Sequence, residues 1–291
     1  NDQHLHELNP RLITFSISGF GSTSPFAAHP AFDIIAQAMS GMMHMTGQPE
    51  GPPNLTGASI GDIAAGLFGA INILSRLHAR DCSNLELPAS SIDMSMTDCQ
   101  MALLENAMAR TRNTDTPVGP IGTRHAASAP FQLFNTIDAP LVIAVASDDI
   151  WKRFCCMLGK FGNTLFNDAR FQSVNSRNKN VDALSDNLEK IFITRTRDAW
   201  LSDLQAANIP ASPVNTIAEA LSSPHASARN LVETVTSQSG TQFDLMTLPF
   251  GADQSPSSPA PALGQHSSSV LSAAGYRADQ ISEFQTDGII L

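Results

Sequence analysis

The chain has 291 residues, 42% of them hydrophobic and only 15% charged, which suits one large domain or two ordinary ones and excludes a disordered chain or a coiled coil. With 17 Lys and Arg against 27 Asp and Glu the formal charge is −10, which excludes the basic footprint of a nucleic-acid binder. The longest apolar run, Ile63 to Leu74 with only Asn72 polar, has 12 residues and is too short to span a bilayer.

Leu12–Ser18 (LITFSIS) alternates and is rich in β-formers, so it predicts a strand ending on the Gly19-Phe20-Gly21 turn. From Pro30 to Met45, Phe32, Ile35, Met39 and Met42 recur at helical spacing behind a proline. Residues 46–57 (TGQPEGPPNLTG) are loop by composition. Asp62 then opens a helix over Ile63–Arg80, with Arg76, His78 and Arg80 in its last turns, where cations suit the dipole. A strand at Ser91–Ser95 follows, and Thr97 is placed to N-cap a helix reaching Arg110. This succession predicts an α/β layer domain over residues 1–115.

The stretch from Thr111 to Pro130 is rich in Gly, Pro, Thr and Ala and predicts a linker, placed at 116–130. Beyond it, Phe131–Asn135 and Leu141–Ala146 form a hairpin pattern around Asp138-Ala139-Pro140, and helices are legible at Trp151–Leu158, Val181–Ile191 and Ala199–Ala206. Residues 131–215 therefore predict a smaller α+β domain. Residues 216–291 read as linker, including the Pro/Ser-rich Gly251–Ala262, and a C-terminal segment with a helix near Ala278–Gln285. Cys82, Cys99, Cys155 and Cys156 show no metal-ligand spacing, so no metal is expected and they read as reduced thiols of a cytoplasmic protein. No basic stretch precedes a hydrophobic core as in a signal peptide.

Gly57-Ala58-Ser59-Ile60-Gly61 fits the G-x-S-x-G nucleophile elbow of serine hydrolases, which needs a buried strand before the serine. Pro52 and Pro53 leave little room for one, so Ser59 stands only as an alternative nucleophile. Gly19-Phe20-Gly21 lacks the third glycine of a dinucleotide fingerprint, position 24 being Ser. His4 and His6 lie near a terminus and predict a solvated, structureless pair. Asp62 differs in kind: its carboxylate stands at a helix N-terminus in a Gly-rich loop. It reads either as an N-cap or as a nucleophile whose neighbouring N–H groups stabilise an oxyanion.

The runs Asn9-Pro10-Arg11-Leu12-Ile13, Ser16–Gly21, Pro30-Ala31-Phe32-Asp33 and Ala36–Gly41 resemble the family III CoA-transferases of the CaiB/BaiF type, the group containing formyl-CoA and carnitinyl-CoA transferases. The similarity continues in order through Gly51-Pro52-Pro53, Gly61-Asp62-Ile63, Ser95–Asp98, Ala129-Pro130-Phe131, Arg170-Phe171, Pro213-Val214 and Leu263–His266. The resemblance implies a Rossmann-like large domain with a smaller α+β domain, the chain after 216 returning to the large one. It also implies that Asp62 attacks an acyl-CoA thioester, that a small carboxylic acid accepts CoA, and that Pro30, Ala31, Phe32 and Asp33 lie at the CoA site. Arg124 and His125 are candidates to orient the acceptor carboxylate. The partner it implies is a second copy of the chain in an interlocked homodimer, with neither nucleic acid nor membrane.

The α-methylacyl-CoA racemases of the same superfamily use a histidine where this chain has Phe32, and a phenyl ring moves no proton, which disfavours racemisation. Oxalate-type transferases carry a glycine-rich loop near Gly122–Ala126, where this chain has one glycine, which disfavours an oxalate/formate pair. Family members also carry a segment before the part matching Asn9-Pro10-Arg11, and Glu86-Leu87-Pro88-Ala89 stands where they have a Gly-rich turn. Residues 1–110 hold only Arg11, Arg76, Arg80 and Arg110 as bases against ten acids, few for a polyanionic ligand. The chain therefore reads as a CoA-transferase lacking its N-terminal segment, with a catalytically inactive truncated member, a racemase-like enzyme and a serine hydrolase as alternatives.

Overall fold

The computed structural model describes residues 2–82, 90–115, 118–249 and 257–291. Glu86–Ala89 and the first half of the predicted linker Gly251–Ala262 lie outside them. The chain divides into two compact units, Asn1–Pro213 and Val214–Leu291.

In the first unit, α1 (Asp2–Leu8) carries His4 and His6, so the pair predicted to be structureless is helical, with His4 Nδ1 3.9 Å from Glu7. The alternating run becomes β1 (Ile13–Ser18). The apolar stretch after Pro30 forms two helices, α2 (Asp33–Ser40) and α3 (Met42–Met45), because Gly41 at φ 92° takes the left-handed conformation that ends a helix. The long helix α4 (Ile60–Cys82) starts a turn earlier than predicted, since Ile60 N–H already bonds Ala58 O and Ile63 N–H bonds Ser59 O. Its chain then enters β2 (Ser90–Ser95), which runs parallel to β1 in unbroken register from Ile13/Ser90 to Ser18/Ser95. A parallel pair needs such a helical crossover, and it brings the start of α4 to the carboxyl ends of both strands.

Next come α5 (Met96–Leu103) and α6 (Glu105–Asn113), divided at Leu104 where a single helix was predicted. Ser95, not Thr97, caps α5, its Oγ accepting the Asp98 N–H at 3.1 Å. The core of this part is narrow and built mostly of small side chains, Ala36, Ala64, Ala65 and Cys99, with Met96 beside them. A Cβ on Gly69 would lie 2.3 Å from Phe15 Cζ, so α4 crosses β1 at a glycine. By length and composition α4 could cross a bilayer, more than its apolar run suggested, yet Gly61, Ala64, Ala65 and Gly69 are buried within the unit.

The second core is larger. The hairpin β3 (Phe131–Phe134) and β4 (Leu141–Ala144) is flanked by α7 (Asp148–Met157), α8 (Lys160–Asn167), α9 (Val174–Lys179), α10 (Val181–Phe192) and α11 (Arg197–Ala206). A third strand, β5 (Ala211–Pro213), absent from the sequence reading, pairs antiparallel with β4. Phe134, Phe154, Phe192 and Trp200 form its aromatic centre, with Phe134 and Phe192 stacked at 5.0 Å. The wholly buried Arg177 is satisfied by Ala129 O, Phe171 O and Asp148, and lies over the Trp151 ring at 4.9 Å.

The second unit holds α12 (Ile217–Leu221), α13 (Pro224–Ala228), the antiparallel hairpin β6 (Val232–Thr236) with β7 (Gln242–Met246), α14 (Ser267–Ala273) and α15 (Ala278–Thr286). The hairpin, turning at Gly240 with φ 84°, was not legible among residues read as linker.

Candidate active site

The Gly19-Phe20-Gly21 turn at the end of β1 is tied to the start of α5. Gly19 O accepts the Thr97 N–H at 3.1 Å, the Thr97 hydroxyl at 2.8 Å and the Ser95 hydroxyl at 3.3 Å. A Cβ on Gly19 would lie 2.2 Å from Ala31 Cβ, so the missing side chain lets the Pro30–Asp33 segment pack on the turn. Asp33, the first residue of α2, then reaches α4: its Oδ1 accepts the Gly61 N–H at 2.7 Å.

The carboxylate that caps α4 is therefore Asp33, from another helix, and the N-cap reading of Asp62 is corrected. Asp62 lies in the first turn of α4, exposed, and among the described residues nothing is bonded to its carboxylate. Because Asp33 takes the Gly61 N–H, Ala58 O the Ile60 N–H and Ser59 O the Ile63 N–H, the Asp62 N–H is left without an acceptor among those residues. An exposed carboxylate beside a free N–H at the positive end of a long helix is equipped to attack a carbonyl and to hold the resulting oxyanion.

Two buried glutamines, Gln37 and Gln100, and the half-buried Ser40 complete the site and were missed in the sequence. Gln37, 1% exposed, donates from Nε2 to Asp33 Oδ2 at 2.6 Å and to Ala58 O at 3.4 Å, while its Oε1 accepts the Thr56 N–H at 3.1 Å. Ser40 donates to Gln100 Oε1 at 3.2 Å, and Gln100 Nε2 is buried without a partner against Gly61. A Cβ on Gly61 would lie 2.1 Å from Gln100 Nε2 and 2.9 Å from Asp33 Oδ1, the physical reason for glycine before Asp62. The one sequence signal for these residues is Gln37 four positions after Asp33, with Ser40 a turn further, a polar stripe along α2.

Of the residues expected at the CoA site, Pro30 is exposed and Phe32 is 80% exposed, whereas Ala31 packs on Gly19 and Asp33 has both oxygens committed inward. Arg11 and Arg80 both pair with Asp81, about 28 Å along α4 from Asp62 at about 1.5 Å rise per residue. Gly122 N–H bonds Gly47 O at 2.9 Å and joins the loop of Arg124 and His125 to the loop that leads into α4. Arg124 pairs with Asp182 at 2.6 Å. His125 stacks on Phe131 at 4.7 Å, and its Nδ1 accepts the Ala127 N–H at 3.2 Å, so Nε2 carries the ring proton as a donor. Neither residue touches Asp62. No strand precedes Ser59, so the elbow that a serine hydrolase needs is not formed. Among the described residues no group of three His, Cys, Asp or Glu side chains is placed to hold a metal ion.

The family model of CoA-transferase family III matches residues 1–267. The chain belongs to CoA-transferase family III. It is 39% identical over 233 residues to the acetyl-CoA:oxalate CoA-transferase of Acetobacter aceti, a match covering 80% of this chain and 59% of that protein. It is 31% identical to an acyl-CoA transferase of Fusarium pseudograminearum over 98% of this chain and 63% of that protein. With the succinate–glutarate CoA-transferase of Agrobacterium fabrum the identity is 32% over 92% of this chain and 67% of that protein. The solved structure of a CaiB/BaiF family protein from Brucella suis superposes with a TM-score of 0.76 at 29% identity, over 94% of this chain and 70% of that one. The chain thus spans about six-tenths of the length of the first two relatives, 59% and 63%.

Proposed function

We propose that the chain serves CoA transfer from an acyl-CoA to a carboxylic acid, with Asp62 as the nucleophile. The observation that carries this reading is the capping of α4 by Asp33, which leaves Asp62 exposed beside an unpaired N–H. The Asp62 carboxylate attacks the thioester carbonyl, the C–S bond breaks, and a mixed anhydride and CoA thiolate result. The thiolate attacks the aspartyl carbonyl, releasing the donor's carboxylate and leaving an aspartyl-CoA thioester. The incoming carboxylate attacks that thioester and expels the thiolate, which then attacks the acceptor's acyl carbon and frees Asp62. Each step passes through a tetrahedral oxyanion that a helix N-terminus stabilises, worth several kcal/mol per well-placed donor.

A short dicarboxylic acid is the acceptor class this reading favours, because the relatives are named for oxalate, succinate and glutarate. The likeness to an oxalate transferase runs against the argument from a single glycine near His125, and oxalate returns as a candidate. The His125 Nε2–H and the remaining donors of Arg124 are suited to a carboxylate, and Pro30–Phe32 to the CoA side. An interlocked homodimer, which rests on the family resemblance, and a cytoplasmic location, which rests on the cysteines read as reduced thiols, belong to the same proposal. Incubation with succinyl-CoA or oxalyl-CoA and hydroxylamine tests it: mass spectrometry is expected to find a hydroxamate on Asp62 and none in Asp62→Ala. A chain that gives none with either thioester is an inactive member, and labelling of Ser59 by a fluorophosphonate would instead favour the hydrolase.

A further inference from the structure

We propose that Gln37 is a positioning residue for the nucleophile, its carboxamide joining the Asp33 cap of α4 to the loop that precedes Asp62. The inference rests on the reading of Asp62 as the nucleophile. Gln37 is 1% exposed and lies one helical turn after Asp33 on α2. Its two ends do opposite work: Nε2 donates to Asp33 Oδ2 at 2.6 Å, and Oε1 accepts the Thr56 N–H at 3.1 Å. Nε2 also reaches Ala58 O at 3.4 Å, where the Thr56 hydroxyl donates at 2.8 Å.

These bonds fix two points of the chain that leads to the nucleophile. On one side, Gln37 turns the Asp33 carboxylate so that Oδ1 meets the Gly61 N–H at 2.7 Å, one peptide before Asp62. On the other, it holds Thr56 and Ala58, which set where α4 begins. Only a carboxamide of this length donates at one atom and accepts at the other; a methionine does neither, and an ionised glutamate only accepts. Gln37 touches no reacting atom. Its removal displaces Asp62 and lowers kcat with little change in KM.

Asp33 is the titratable group bonded to Gln37, and Gln37→Glu uses it as a reporter. Two carboxyl groups at that separation share one proton. With the proton, the acid O–H of residue 37 donates to Asp33 and the arrangement survives; without it, two like charges part and the loop moves. CoA-transfer turnover of Gln37→Glu is expected near wild type in mild acid and reduced about tenfold or more as pH rises, while Gln37→Met is reduced that far throughout. A second reading is independent of activity: the Thr56 and Gly61 amides of Gln37→Met exchange hydrogen about tenfold faster than in the wild type.

A Gln37→Glu profile parallel to wild type, or unchanged exchange at both amides, overturns the proposal. Loss of far-UV dichroism in both variants makes Gln37 a plain core residue and overturns it too. A wild-type chain that forms no Asp62 hydroxamate removes the nucleophile reading alone, and the exchange measurement still decides whether Gln37 holds the loop.

Discussion

At the scale of single residues, the Gly61-Asp62 pair divides its labour. Asp62 is exposed and chemically available, and Gly61 exists because Asp33 and Gln100 occupy the space of a side chain. Gly61→Ala is expected to cost about 1–3 kcal/mol of stability through overpacking. Gln100→Ala opens the space that the new methyl needs, so the double variant should be less destabilised than the sum of the singles. Urea midpoints of the four proteins of the cycle check this, and strict additivity would show that Gly61 and Gln100 are not coupled. Asp62 was legible in the sequence because a carboxylate after Gly at a helix start is a local pattern. Asp33 was legible as a position but not as a cap, because its partner Gly61 lies 28 residues away. Gln37 and Gln100 look like ordinary helix residues until α5 packs on α2 and α4.

At the scale of elements, α4 offers an internal comparison. Gly66 faces open space, whereas Gly69 faces the Phe15 ring. Gly66→Ala should stabilise the protein by about 0.5–1 kcal/mol, the helix propensity difference, while Gly69→Ala should destabilise it. Thermal melts give the signs, and Phe15→Leu is expected to recover part of the loss in Gly69→Ala; equal effects at the two glycines would refute the crossing described for α4 and β1. The strands and helices with strong periodicity were legible, and the errors concern their ends. Gly41 and Leu104 each divide a predicted helix, since periodicity persists across a break that only the backbone conformation makes. The strand β5 was missed because three residues ending in Pro213 pair only once β4 is beside them.

At the scale of the whole molecule, stability depends on pH from both sides. The Arg197 N–H and then the Thr136 hydroxyl hold Asp138 below the usual carboxylate range, and Arg170 does the same for Asp168. A lowered carboxylate stabilises the fold above its ordinary pKa, and that contribution is lost as pH falls through the folded value. Burial pushes the Cys155 thiol from 9.0 up to about 12, Arg177 drawing it back slightly. Between those values the unfolded chain releases a proton that the folded chain keeps, so stability falls as pH rises. Urea unfolding across pH should therefore show a plateau that drops below about pH 4 and again above about pH 9. Cys155→Ala should flatten the alkaline limb relative to wild type, and an unchanged limb would assign it to other groups.

The sequence by itself determined the α/β class, the family and the nucleophile candidate, because each rests on local order: alternation, helical spacing, and motifs read in sequence. Tertiary structure alone decided what surrounds that candidate. The parallel pairing of β1 and β2 carries the start of α4 to the strand ends, and there Asp33, Gln37 and Ser40 from α2 and Gln100 from α5 converge on it. Hydrogen bonds and steric exclusion between residues distant in the chain leave no periodic trace, so the Asp33 cap that frees Asp62 becomes visible only in the fold.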